Sequence, residues 1–324
     1  MSALDLELVL VMGLTSISCA LLGAFLVVRR LAMVSDAIGH VLLFGIVVAF
    51  FIFRDLQSPG LILGAAIAGL LLVGLVEALV RSQRVKEDAA IGLVFPALFA
   101  GGILLASMYF KNTHLDVDQV FLGMPEYAVW RRVIVGDYDI GSVSRYIMAG
   151  VFLINLAFLL LFWKELKIAT FDATLAAAFG FLPGALHYCL MGLVSLTAVT
   201  AFENVGPVLV VAFMIVPAAV GYLLVDRMSS LVLVSVVIAL VGTLAGLMVA
   251  RQFDTSIAGT IATLLGVESA LIILVAPRRG IVSLMVHRYR QRRQLIRTLL
   301  REQQRGGMSW PLARDQGGES ATSH

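Results

Sequence analysis

The chain has 324 residues, of which 60% are hydrophobic and only 14% are Asp, Glu, Lys or Arg, and its mean hydropathy is +0.97. These numbers exclude a water-soluble domain of this size, because too few polar and charged residues are present to cover its surface. The composition therefore predicts an integral membrane protein in which most of the chain crosses the bilayer.

Several other classes are excluded by residues that the sequence lacks. The two cysteines, Cys19 and Cys189, lie in apolar segments, so neither a disulfide framework nor a cysteine-rich zinc module is expected. None of the four lysines follows a glycine-rich phosphate loop, and no hydrolase or metalloprotease motif is present. We therefore expect no enzyme activity and no permanently bound cofactor. Nucleic-acid binding is not expected either, because the basic cluster adjoins a membrane span and has few aromatic partners.

Apolar segments of membrane-spanning length fill most of the chain. A bilayer core about 30 Å thick needs roughly 20 apolar residues per helix. By this criterion the sequence predicts an all-α polytopic bundle of eight to nine transmembrane helices. The candidate spans are 8–28, 35–53, 61–80, 91–110, 146–163, 185–202, 205–225, 229–250 and 257–276.

Lys and Arg are distributed unequally between the two sides of this arrangement. With nine spans and a cytoplasmic C-terminus, the inner side carries 18 of these residues and the outer side six, and ten of the 18 follow residue 277. Since positive residues concentrate in cytoplasmic segments, we expect the C-terminus in the cytoplasm and the N-terminus outside. Without the tail the counts are 8 and 6, so this orientation rests on the tail.

The polar parts of the chain suggest its domain organisation. We expect a transmembrane domain over residues 1–280, followed by a basic cytoplasmic tail over 281–324. Spaced apolar residues in the tail favour an amphipathic helix on the inner membrane surface or against a soluble partner, with a simple solvated tail as the alternative. Two long connections, 111–145 and 164–184, interrupt the spans, and the second is mildly amphipathic.

Polar side chains within hydrocarbon are costly unless they are paired or face water, and few occur in the spans. The sharpest pair lies where the second span begins, since Asp36 and His40 are four residues apart and share one helix face. A carboxylate oxygen and an imidazole nitrogen form half a site for a divalent transition metal, and a two-fold dimer would double it to four ligands. Spacing alone leaves open a structural reading, in which Ser35 or Asp36 caps the helix and His40 bonds to Asp36.

The connection 111–145 carries a second set of metal-ligating residue types, His114, Asp116 and Asp118. In an extended segment these alternate residues point to one side and suit a divalent cation. A solvated acidic loop that contacts another protein is the alternative reading.

Four stretches of the sequence match a family pattern in order and spacing. They are VVRRLAMVSDAIGH at 27–40, KEDAAIGLVF at 86–95, HLDVDQVFLG at 114–123 and VGPVLVVAFMIVPAAVGYLL at 205–224. Over about residues 8 to 276 the chain thus resembles the permease subunits of manganese, zinc and iron ABC importers.

The resemblance implies a type II-like ABC importer of the bacterial cytoplasmic membrane. In such an importer, two permease subunits, identical or different, work with two cytoplasmic ATPase subunits and an extracytoplasmic metal-binding protein. Segment 164–184 is similar to the family's coupling segment, a short helical region that contacts the ATPase and passes its closure to the permease as a rigid-body movement.

The same resemblance assigns roles to the candidate metal ligands. Asp36 and His40 would hold the transported Mn²⁺, Zn²⁺ or Fe²⁺ transiently on its pathway. His114, Asp116 and Asp118 would guide the metal, or contact the binding protein, at the outer mouth.

Two departures from the family pattern concern the metal motif and the tail. Gly39 stands before the motif histidine where the family commonly has Ser, which predicts a looser helix, and some 45 residues follow the last span. The long tail leaves open whether the subunit pairs with itself or with a different permease.

Three other functions stay open as alternatives. They are a metal-chelate or siderophore permease on a similar scaffold, an ATP-independent secondary transporter or channel, and a membrane interaction protein that acts through its basic tail.

Overall fold

The computed structural model describes residues 3–54, 60–109, 125–128, 130, 132–135 and 138–276. Its helices are α1 (Ala3–Val28), α2 (Ala32–Phe53), α3 (Gly60–Arg81), α4 (Glu87–Tyr109), α5 (Pro125–Ala128), α6 (Val143–Leu161), α7 (Trp163–Phe171), α8 (Ala173–Ala178), α9 (Pro183–Val205), α10 (Pro207–Leu224), α11 (Met228–Phe253) and α12 (Ile257–Val275). The strands are β1 (Arg132–Val135) and β2 (Tyr138–Ser142).

Nine helices within the described ranges are long and apolar enough to cross a membrane, namely α1 to α4, α6 and α9 to α12. The predicted all-α polytopic bundle is confirmed, and so are the positions of its spans to within a few residues. The helices mostly begin earlier than predicted; α2, for example, begins at Ala32 rather than at residue 35. This difference arises because helical hydrogen bonding continues into residues that lie outside the most apolar window.

A short antiparallel hairpin, β1–β2, precedes α6 and was not predicted. Arg132 lies opposite Ser142, and the register shifts between Val133 and Ile134. Gly141 has a φ of +116°, a conformation that residues with a Cβ rarely adopt. The hairpin escapes prediction because its strands have only four and five residues and lack a clear alternation of apolar and polar residues.

Helix α1 is the most enclosed of the spans. Inside the protein, 78% of its apolar segment is buried, against 22% for α4. It packs against α6, α9, α10 and α11, and the side chains of Met12, Leu22 and Phe25 are fully buried. The bundle is thus built around α1, while α4 lies at its periphery.

Small residues let the helix backbones approach closely. A Cβ at Gly23 of α1 would lie 1.9 Å from the carbonyl oxygen of Met214 in α10. Similarly, a Cβ at Gly45 of α2 would lie 2.6 Å from the Cα of Ala65 in α3. Contacts of this kind replace the hydrophobic effect as the source of helix association in lipid.

We name the two ends of the bundle after residues of α1. At the Asp5 end, the Asp5 carboxylate accepts a 2.8 Å hydrogen bond from Arg251 of α11, and Glu7 accepts one of 3.1 Å from the backbone N–H of Ser142. The acidic residues that precede the first apolar run therefore tie α1 to its neighbours. The opposite end, which holds the turn between α1 and α2, is called the Arg29 end.

The turn at the Arg29 end is tight and well ordered by backbone hydrogen bonds. The N–H of Leu31 donates to Leu26 at 2.8 Å, and the N–H of Arg30 donates to Val27 at 3.1 Å. These two bonds, with Arg30 at a φ of +63°, form a Schellman motif in which Arg occupies the position where Gly is usual. Helix α2 follows α1 through this motif without a flexible linker.

The connection 164–184 folds into two short helices, α7 and α8, at the Arg29 end. Asp172 separates them and caps α8 by accepting a 2.9 Å hydrogen bond from the N–H of Leu175. Leu166 anchors α7 because its side chain is fully buried, whereas Phe171 and Phe179 are exposed. The segment thus has one face on the bundle and one apolar face that nothing in the described chain covers.

The predicted division between a transmembrane domain over 1–280 and a tail over 281–324 stays a prediction. The tail lies outside the described residues, as does the segment 277–280.

The approach of α1 to α10 generates a first prediction. We expect Gly23→Ala to destabilise the protein by about 1–3 kcal/mol or more, because the added Cβ meets a backbone carbonyl rather than a flexible side chain. Thermal unfolding in detergent measures this loss. The control is Gly74→Ala in α3, where a Cβ meets nothing within 4 Å; equal effects of the two substitutions would contradict the close approach.

Candidate metal centre

Asp36 and His40 lie within the first three turns of α2. The structure brings Asp36 Oδ1 to 3.8 Å from His40 Nε2, as the i, i+4 spacing predicts. This distance is too long for a hydrogen bond. The residue that caps α2 is Leu31, and no side chain makes the capping bond. The helix cap that the structural reading assigns to Ser35 or Asp36 is therefore wrong, whereas its contact between His40 and Asp36 is present as a pair within ion-pair distance.

Both side chains face away from the core of this chain. The exposed fractions are 51% for Asp36 and 34% for His40, whereas the neighbouring Ala37 and Ile38 are buried. A helix rises about 1.5 Å per residue, so Asp36 lies ~6 Å and His40 ~12 Å from the start of α2 at Ala32. The pair is thus open to a ligand or to a second protein surface rather than closed within the subunit.

Aromatic rings of α4 hold the His40 imidazole in place. Its ring centroid lies 5.6 Å from that of Phe95 and 5.7 Å from that of Phe99, the second in an edge-on arrangement. The two phenylalanines are four residues apart and share one face of α4. These contacts restrict the imidazole and leave the ring nitrogens as the polar edge that can meet a metal.

Gly39 has a packing role that the sequence did not indicate. A Cβ at this position would lie 2.6 Å from Cζ of Phe202 in α9. Helix α2 nevertheless runs without interruption from Ala32 to Phe53, so the expectation of a looser helix at Gly39 is wrong. The glycine instead admits the Phe202 ring against α2, next to His40. A serine there would require that ring to move.

Asp36 and His40 supply two donors, one carboxylate oxygen and one imidazole nitrogen. Among the described residues, no group of three or more His, Cys, Asp or Glu side chains converges on one point. Divalent transition metals in proteins usually take four to six ligands. The described part of the chain therefore brings two candidate ligands together here. His114, Asp116 and Asp118 lie outside the described residues, and the proposed role of these three stays a prediction.

A second polar cluster, at the Arg29 end, was not predicted. Arg29 Nε donates a 3.0 Å hydrogen bond to Thr170 Oγ1 of α7, and Arg29 Nη1 lies 3.5 Å from His187 Nδ1 of α9. Burial lowers the pKa of the Arg29 guanidinium from its ordinary value. In the sequence, Arg29 stands out only by its position at the end of a span. Its role could not be predicted, because both of its partners lie more than 140 residues farther along the chain.

A cavity of about 260 Å³ opens between α2, α3, α4 and α9 near this cluster. Its wall is mainly aliphatic, with Glu77, Glu87 and His187 as its polar members. The Glu77 carboxylate also accepts hydrogen bonds from Tyr188 of α9 and, at 2.7 Å, from Arg81. Charged groups therefore lie at the Arg29 end of this group of helices. From there toward the Asp5 end, the contacts between the helices are mainly apolar.

The chain is similar to proteins whose names describe metal transport. It is 39% identical over 294 residues to the manganese transport system membrane protein MntD of Bacillus subtilis, which covers 91% of this chain and 96% of that protein. It is 44% identical over 281 residues to the zinc transport system membrane protein TroD of Treponema pallidum, with 86% of this chain and 76% of that protein covered.

The fold matches a solved structure as well. The structure of PsaBC from Streptococcus pneumoniae in complex with Fab superimposes with a TM-score of 0.72 and 26% identity, over 88% of this chain and 96% of that chain. The sequence profile of the ABC 3 transport family matches residues 6–276, which include all nine described membrane-spanning helices apart from the first three residues of α1. The chain therefore belongs to the ABC 3 transport family.

Proposed function

We propose that this protein is the permease subunit of an ATP-binding-cassette importer that carries a divalent transition metal ion, Mn²⁺, Zn²⁺ or Fe²⁺, into the cytoplasm. The observation that carries the proposal is the Asp36–His40 pair, which the family's fold presents on an exposed helix face. The relatives named for manganese and zinc transport support the substrate class.

The donor set suits a transient metal site. Imidazole binds Mn²⁺, Fe²⁺ and Zn²⁺, and a carboxylate adds the negative charge that offsets part of the lost hydration. Because one subunit supplies only two ligands, a metal held there alone would be held weakly. Weak binding is an advantage on a transport path, since an ion that binds too tightly is not released.

A second permease subunit completes the site in this proposal. The exposed parts of α2 and α4, here called the α2–α4 face, carry large apolar side chains, including Met33, Leu93 and Leu104, and α4 is the least buried of the described spans. A carboxylate left on such a surface would face lipid, which is costly. A second copy, or a related permease, would cover this face and bring another Asp and His to the same ion.

The distribution of positive residues along the sequence supports the orientation that we propose for this fold. We place the Arg29 end, with α7 and α8, at the cytoplasm and the Asp5 end outside, which puts the C-terminus in the cytoplasm. Asp36 and His40 then lie on the cytoplasmic half of the membrane path. His114, Asp116 and Asp118 would act at the outer mouth, where an extracytoplasmic metal-binding protein delivers the ion.

The exposed apolar face of α7 and α8 is the proposed docking surface for a cytoplasmic ATPase. Phe171, Leu175 and Phe179 project from it, and water-exposed aromatic side chains in this number indicate a partner. ATP hydrolysis belongs to that partner. The convergent Asp36–His40 pair favours a bare ion over a chelate or siderophore, and membership of an ABC family disfavours an ATP-independent transporter.

The metal site generates a second prediction. In the complex reconstituted with its ATPase in liposomes, Asp36→Ala and His40→Ala each lower metal uptake at least about tenfold, because each removes one of the two ligands that every subunit contributes to the shared site. Uptake of Mn²⁺, Zn²⁺ and Fe²⁺ and metal-stimulated ATP hydrolysis are measured together. Asp254→Asn is the control, since that exposed residue caps α11 in a left-handed conformation that Asn also adopts. Unchanged uptake by the Asp36 and His40 variants would overturn the proposed site.

The docking surface generates a third prediction. Phe179→Glu abolishes co-purification of the ATPase, because it places a charge in the apolar contact. Phe253→Glu is the matched control; that phenylalanine is 69% exposed, against 65% for Phe179, but lies at the Asp5 end. Retention of the ATPase by the Phe179 variant, or its loss from the Phe253 variant, would contradict the proposed surface.

A further inference from the structure

We propose that Arg29 is a positioning residue that links the ATPase-docking segment to the metal-binding helix. Its guanidinium joins α7 to the turn from which α2 begins, so that a movement of α7 is passed to Asp36 and His40. The inference rests on the proposed function, and it names the contact through which ATP-driven movement reaches the metal site.

The bond from Arg29 to α7 is held in a fixed geometry. Thr170 Oγ1 donates its own hydrogen to the carbonyl oxygen of Leu166 at 2.6 Å, which leaves its lone pairs to accept from Arg29 Nε at 3.0 Å. Leu166 is fully buried, so the acceptor does not swing freely. A hydrogen bond to a charged donor is among the stronger contacts that side chains make.

The other end of the link is equally restrained. Arg29 directly follows α1, with its own N–H donating to Phe25 at 3.0 Å, and the Schellman motif at Arg30 and Leu31 comes next. Helix α2 begins at Ala32, and Asp36 lies one turn farther along. Because no flexible residue intervenes, a displacement of the Arg29 backbone tilts or shifts α2 as a rigid body.

The same guanidinium also reaches α9. Nη1 lies 3.5 Å from His187 Nδ1 in the first turn of that helix, and Phe202 of α9 packs on Gly39 beside His40. Arg29 thus lies where α7, α9 and the turn between α1 and α2 meet. Of these, α9 and the helix that follows the turn contact the candidate metal site. Arg can make these contacts at once because its planar guanidinium carries donors that point in several directions. The compact ammonium group of Lys cannot.

The expected consequence is a loss of coupling rather than of folding or docking. Thr170→Val keeps the shape of the side chain and removes the acceptor, while Arg29→Met keeps the length of the stem and removes the guanidinium. For both variants we expect metal ions delivered per ATP hydrolysed to fall about tenfold, the order of effect of losing a charged hydrogen bond. Thr170→Ser, which retains the hydroxyl, should restore the ratio. Arg30→Asn is the control, since Arg30 is exposed and Asn tolerates its positive φ.

The experiment uses the full complex with its co-purifying ATPase in liposomes, and the ion is whichever of Mn²⁺, Zn²⁺ and Fe²⁺ the wild-type complex transports. ATP hydrolysis and uptake are measured on the same vesicles.

A second readout needs no transport: Met33→Cys in a Cys189→Ser background is labelled by a maleimide with and without trapped nucleotide. Met33 of α2 is exposed in the single chain but lies on the face that the second permease subunit covers in this proposal, so its labelling rate reports how far nucleotide moves α2 against that subunit. In the Thr170→Val background the nucleotide-dependent difference should disappear.

The outcomes separate this inference from the proposed function. If the wild-type complex transports no metal, or Phe179→Glu retains the ATPase, the proposed function fails before Arg29 is tested. If Thr170→Val and Arg29→Met deliver as much metal per ATP as the wild type, or lose the ATPase as Phe179→Glu is expected to, the link is overturned. Preserved ATP hydrolysis with lost uptake, rescued by Thr170→Ser, supports it.

Discussion

Backbone contact between helices at small residues is the constraint on which this structure depends, because burial of apolar side chains gives helices in lipid little reason to associate. Gly23 brings α1 against the backbone of α10, and Gly45 does the same between α2 and α3. The Schellman turn then fixes α2 relative to α1. The direction in which Asp36 and His40 point is therefore a consequence of packing at other positions, by residues that carry no charge.

Burial is unevenly divided around this frame, and the division fits the proposed metal site. Helix α1 is enclosed, while the α2–α4 face has apolar side chains on the outside together with the polar pair. A subunit that were complete alone would bury its costly polar groups and expose only apolar ones. Asp36 is instead half exposed, as expected if it belongs to a site that two subunits share. The ring contacts from Phe95 and Phe99 restrain the imidazole before any partner arrives.

The sequence predicts what depends on local periodicity and not what depends on contacts across the bundle. Hydropathy located the spans, and the four-residue spacing placed Asp36 and His40 on one face, because both are properties of a single helix. The role of Gly39 was misread because Phe202, which fills the space above it, is 163 residues away in the chain. Arg29 was passed over for the same reason, since Thr170 is its partner at a separation of 141 residues. The hairpin was too short to leave a pattern.

The enclosure of α1 has a consequence for how the protein is made. Two of the helices that cover α1 are α10 and α11, and about 180 residues separate the end of α1 from the start of α10. At roughly 5–20 residues per second, translation needs on the order of 10–40 s to supply them. For that interval α1 lies in the bilayer with its future contact surface, including Gly23, open to lipid or to insertion factors. Assembly of the bundle therefore includes the capture of its first helix by helices that are made much later, and a chain that stops before Pro207 leaves the α10 and α11 contact surface of α1 uncovered.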